Sequence, residues 1–83
     1  MKNWTENNNA LHKTFTFESF KAALAFMRKA ATGIDGLKHH PEWTNIYNKV
    51  VVKLTTHDAG NTVTDKDKQL AQLLDDAFDR FNE

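Results

Sequence analysis

The sequence predicts an α+β fold: a four-stranded antiparallel sheet with two helices packed on one face, in the order β-β-α-β-β-α, forming one domain over residues 1–83. Three observations predict it. Apolar and polar side chains alternate with a period of two in two separate stretches. Apolar residues recur at helical spacing in two others. Asn- or Gly-containing turn segments lie between them.

Trp4 marks a short first strand, and Asn7-Asn8-Asn9 turns the chain, because asparagine tolerates positive φ and hydrogen-bonds locally. Leu11, Phe15 and Phe17 then share one parity, with His12, Thr14 and Thr16 on the other, as in a half-buried strand. His12 falls on the polar side and reads as surface. The period changes at Phe20, Leu24, Met27, Ala31 and Ile34, and Ala23, Phe26 and Ala30 widen the apolar face. This helix is expected to start at Thr16 or Phe17 and to end at Gly33 or Gly36. Phe20, Leu24, Met27 and Ala31 are expected on the sheet, with Ala22, Phe26 and Lys29 toward another side. Trp43 to His57 reads as two strands, with a turn at Asn48-Lys49 and β-branched Val50, Val51 and Val52 beyond it. Asp58 to Asn61 is a loop. Thr64 fits a helix N-cap with Asp67 three residues on, a capping box with Asp in place of Glu. Leu70, Leu73, Leu74, Ala77, Phe78 and Phe81 give the second amphipathic helix.

Composition narrows the function. Lys+Arg and Asp+Glu balance at 11 each, so bulk attraction to nucleic acid or to an anionic membrane is not expected. The absence of cysteine excludes disulfides, thiolate nucleophiles and cysteine zinc sites. The start of the chain carries no apolar run, so no secretory signal is expected, and Ala22 to Met27 is far too short to span a bilayer. A cytoplasmic location is expected. A short chain with two open sheet edges also predicts a homo-oligomer.

The chemistry lies with histidine. His39 and His40 stand where helix gives way to strand, just before Pro41, which pushes His40 out of helical backbone space. His57 enters a glycine-containing loop. Imidazole titrates near pH 6.5 and can serve as acid or base at neutrality. A lone histidine at a helix C-terminus is more often a favourable end charge. Three imidazoles can also hold zinc, although no HExxH-like pattern is present. The residues alone leave these readings open.

The run Asp35-Gly36-Leu37-Lys38-His39-His40-Pro41-Glu42-Trp43, with Tyr47, Asn48-Lys49-Val50, then Thr56-His57-Asp58-Ala59-Gly60 and Thr64-Asp65-Lys66-Asp67, resembles the pterin-4a-carbinolamine dehydratases. Phe15-Thr16-Phe17, Phe20 and Phe26-Met27-Arg28 resemble the family's strand-to-helix junction, so the likeness covers nearly the whole chain. Asp35 stands where the family commonly has Glu.

The resemblance implies dehydration of a 4a-hydroxytetrahydropterin to the quinonoid dihydropterin, in the recycling of pterin used by aromatic amino-acid hydroxylases. It implies His39, His40 and His57 as catalytic residues, with His40 and His57 contributing most. Asp35, Pro41, Trp43 and Asp67 are implied on the substrate, Trp43 by stacking or as ordinary sheet packing. No metal and no bound cofactor are implied, since pterin is the substrate. A homodimer or homotetramer is implied as well. The competing reading is a non-catalytic module that stabilises a protein partner's oligomeric state, as some animal relatives do for a homeodomain transcription factor.

Overall fold

A computed structural model of the chain describes residues 3–81. The expected element order is present: β1 (Thr5–Asn7), β2 (Ala10–Thr16), α1 (Phe20–Leu37), β3 (Glu42–Ile46), β4 (Lys49–Leu54) and α2 (Asp65–Phe81). The strands form one antiparallel sheet in the order β1-β2-β4-β3. Asn8 and Asn9 both have positive φ, 51° and 62°, the requirement of a type I′ hairpin turn, and Asn7 pairs with Ala10 across it.

The inward row of the sheet carries Leu11, Phe15, Val50, Val52 and Leu54, all buried. Both helices cover this face. Ala23, Phe26, Ala30 and Ile34 of α1 and Leu70, Ala71 and Leu74 of α2 complete the core. Phe15, Phe17, Phe26 and Phe78 cluster with ring centroids 5.0–6.2 Å apart in tilted and edge-on contacts. Trp4 closes one margin of the core, its indole N–H donating to the Asp75 carboxylate at 3.0 and 3.1 Å.

Five expectations are corrected. The buried stripe of α1 is Ala23-Phe26-Ala30-Ile34, while Phe20 and Leu24 point to solvent at 46% and 39% exposure. Two overlapping apolar stripes share this helix, and Phe26 wins the sheet because it completes the phenylalanine cluster. The helix starts later than expected, with Ser19 as N-cap accepting from the Ala22 N–H. It also runs through Gly33 and Gly36 to a left-handed C-cap at Lys38. Gly33 serves helix packing instead, since a Cβ there would lie 2.9 Å from Leu73 Cδ1.

The β3–β4 turn falls at Tyr47-Asn48, one residue early, with Tyr47 at φ 52° and Ile46 paired to Lys49. Asn45 holds it by donating to the Tyr47 and Lys49 carbonyls. Finally, β4 stops at Leu54 rather than His57. Its partner β2 begins at Ala10, so beyond Leu54 only the Asn turn remains, and the Thr55 hydroxyl donates to the Asn9 carbonyl there.

Candidate active site

Beyond β4, Thr56 makes an isolated bridge to Thr62, enclosing a turn of 3₁₀ helix (His57–Ala59) and Gly60 at φ 84°. This small loop presents His57. On the other side, the left-handed Lys38 turns the chain out of α1 and delivers His39 and His40 ahead of Pro41. The first turn of α2 brings Asp67 beneath them.

Each imidazole has one nitrogen held by an oxygen, so that nitrogen carries the hydrogen. His39 Nε2 donates to Asp67 Oδ1 at 2.6 Å, His40 Nε2 to Asp35 Oδ1 at 3.1 Å, and His57 Nδ1 to Asn61 Oδ1 at 2.6 Å. What remains for proton traffic is Nδ1 of His39, Nδ1 of His40 and Nε2 of His57. The three supports differ in strength. The His40–Asp35 pair is open to solvent on both sides, where an ion pair contributes little. The His39–Asp67 pair is the enclosed one.

Asp67 is fully buried, yet every polar atom of its carboxylate is occupied. Oδ1 accepts from His39, and Oδ2 accepts from the Thr56 hydroxyl at 2.7 Å and the Thr64 N–H at 2.9 Å. The last bond is half of the expected capping box. Burial pushes the Asp67 carboxyl up, but the bonds from His39, Thr56 and Thr64, with the attraction of His39, outweigh it. The carboxyl is held below its ordinary value.

His39, His40 and His57 line one cleft of about 250 Å³ together with Lys38, Thr55, Thr56, Asp58 and Lys66. The other expected site residues are placed differently. Asp67 lies under the cleft floor and reaches it through His39. Asp35 is exposed and bonded to His40. Pro41 is half-buried between His40 and β3. Trp43 lies on the inner face of the sheet and packs against the core, which favours its sheet-packing reading. Asn61 holds His57 and Thr56 donates to the Asp67 carboxylate that holds His39, and neither was expected in the site. Asn61 had a local signal, an asparagine four residues after a histidine and directly after a glycine, and in the structure it adopts φ 58°. Thr56 had none beyond its place before His57.

Among the described residues, no three His, Asp or Glu side chains are grouped so as to hold a metal ion. No described helix is long and apolar enough to cross a membrane. A larger groove of about 460 Å³ runs between α1 and α2, lined by Gly33, Leu73 and polar side chains such as Lys29 and Asp76, and it contains no histidine.

Residues 1–77 match the family model described as pterin 4 alpha carbinolamine dehydratase. A protein of Opitutus terrae, provisionally named a pterin-4-alpha-carbinolamine dehydratase, is 50% identical over 75 residues, covering 90% of this chain and 77% of that protein. A similarly named protein of Sulfurisphaera tokodaii is 46% identical over 76 residues, covering 92% and 81%. Among solved structures, a transcriptional coactivator/pterin dehydratase from Brucella melitensis superposes with a TM-score of 0.84 at 37% identity, over 92% of this chain and 82% of that one. A pterin dehydratase-like protein identified as a RuBisCO assembly factor in the alpha-carboxysome shares the fold, with a TM-score of 0.77 at 20% identity over 92% and 89%.

Proposed function

Because the chain belongs to the pterin 4 alpha carbinolamine dehydratase family, we propose that it is a cytoplasmic hydro-lyase that converts a 4a-hydroxytetrahydropterin to the quinonoid dihydropterin and water. His39, His40 and His57 do the acid and base work. The observation that carries this reading is the meeting of all three imidazoles in one cleft, each with one nitrogen tied back.

The elimination breaks the bond between the ring carbon and its hydroxyl. The departing oxygen takes a proton from an imidazolium and leaves as water. The N–H of the adjacent ring nitrogen passes its proton to a neutral imidazole, and the carbon–nitrogen double bond forms. One proton is given and one is taken, so acid and base exchange states with no net change. Positioned groups of this kind typically contribute about 10²–10⁴-fold each. No metal or bound cofactor has a part in this scheme. Freshly prepared 4a-hydroxytetrahydropterin, followed by ultraviolet absorbance, should dehydrate faster with the protein than without it.

A second reading is a non-catalytic module that stabilises a partner's assembly. The fold it shares with a RuBisCO assembly factor shows that this architecture serves other ends, and fold alone does not fix function. Absence of any acceleration in the absorbance assay would favour it.

The functional unit in this proposal is a homodimer or homotetramer. β1 and β3 are sheet edges, and Phe20, Leu24, Ile46, Tyr47 and Val51 are exposed apolar side chains. Light scattering at micromolar concentration should give a multiple of 9.5 kDa. A monomer would refute this part.

A further inference from the structure

The geometry points to Thr56 as a positioning residue that sets which nitrogen of His39 carries the proton, acting through Asp67. The inference rests on the proposed dehydration for its catalytic consequence, but the proton placement stands on geometry alone.

Thr56 is clamped by its backbone. Its N–H donates to the Thr62 carbonyl at 3.0 Å, and its carbonyl accepts from Ala59 and Asn61 at 3.3 and 3.0 Å. The side chain is buried, with the hydroxyl 2.7 Å from Asp67 Oδ2 and 2.7 Å from Thr64 Oγ1. A hydroxyl has one hydrogen. Since the carboxylate can only accept, Thr56 gives that hydrogen to Asp67, and Thr64 must donate to Thr56. The chain of donors is therefore directional: Thr64 to Thr56 to Asp67 Oδ2. With the Thr64 N–H on the same oxygen, the plane of the carboxylate is fixed and Oδ1 is left for His39.

Oδ1 then requires a hydrogen on His39 Nε2. While Asp67 stays ionised, that hydrogen is present whether the ring is neutral or charged, so Nδ1 is the nitrogen that gains and loses protons. The other charged or titratable groups around this cleft are Lys38 and His40 beside His39, and His57, Asp58 and Lys66 across it. The bond to Asp67 is what decides the tautomer. An orienting acid of this kind acts by fixing the ring, not by changing charge.

Thr56→Val keeps the shape of the side chain and removes the hydroxyl, whereas Thr56→Ser keeps the hydroxyl. Two readouts on the full chain decide the matter. The first is the long-range ¹⁵N–¹H correlation spectrum of the histidine rings. Wild type and Thr56→Ser should show His39 protonated at Nε2 in the neutral form, and Thr56→Val should add the Nδ1-protonated form. The second is turnover. Thr56→Val should lower kcat about tenfold or more, the scale of losing a partner that orients a histidine, with KM changed less than twofold, and Thr56→Ser should restore it. Wild type already carrying its proton on Nδ1 would overturn the inference, even if Thr56→Val failed to fold. A single Nε2 tautomer with unchanged kcat in Thr56→Val would overturn it too. Absence of turnover in wild type would sink the dehydratase reading alone, leaving the spectra to judge Thr56.

Discussion

His39 Nε2 and Asp67 Oδ1 lie 2.6 Å apart, a bond that joins the chain just past α1 to the first turn of α2 across 28 positions of sequence. It ties the candidate chemistry to the stability of the fold, because the same carboxylate caps α2 through the Thr64 N–H and accepts from Thr56 beyond β4.

Asp67→Asn should destabilise the protein at pH 7 by about 3 kcal/mol or more, the scale of breaking a buried hydrogen-bonded pair. It should also change the acid limb. Although burial pushes the Asp67 carboxyl up, its hydrogen bonds hold it below the ordinary value of 3.8. A carboxyl depressed by folding contributes stability that is present above its unfolded value and lost as pH falls through its folded value. Wild type should therefore lose stability as pH drops below about 4, and Asp67→Asn should lose less over that range. Urea midpoints from pH 6 to pH 2 measure both.

The two helix glycines should respond differently to alanine. At Gly36 an added Cβ meets nothing within 4 Å, so Gly36→Ala should raise stability by about 0.5–1 kcal/mol through helix propensity. At Gly33 the same methyl comes within 2.9 Å of Leu73 Cδ1, and moving that side chain should consume part of the gain. Urea titration of the two variants should place Gly36→Ala above Gly33→Ala. The reverse order would show that the helix interface has room to spare.

Much of this fold is written in local pattern. The Asn8-Asn9 turn, the alternation through Leu11 to Phe17 and the Thr64/Asp67 cap each depend on neighbouring residues, and each is where the sequence places it. The side of α1 that meets the sheet was not legible, because Phe20-Leu24-Met27 and Ala23-Phe26-Ala30 are both apolar. The choice rests on the distant Phe15, Phe17 and Phe78. The three histidines were visible as a motif, but their supports were only partly so. Spacing named Asp67 only as a helix-capping residue, and the family resemblance implied it on the substrate; its burial beneath His39 is a product of tertiary packing, as is the contact that recruits Thr56.

Removing metal should leave turnover intact. The scheme uses imidazole nitrogens alone, and the described residues offer no cluster of three metal-ligating side chains. Full activity is expected after exhaustive treatment with a strong chelator. Loss of activity that added zinc restores would replace the acid–base scheme with a metal one.

The most direct test of the central claim compares wild type with His39→Ala, His40→Ala and His57→Ala in the absorbance assay on fresh 4a-hydroxytetrahydropterin, with each variant first shown to be folded. Wild type should accelerate dehydration, and His40→Ala and His57→Ala should each lose about 10²–10⁴-fold, with His39→Ala close behind. Near-normal rates in both His40→Ala and His57→Ala would contradict the assignment of this cleft as the dehydratase site.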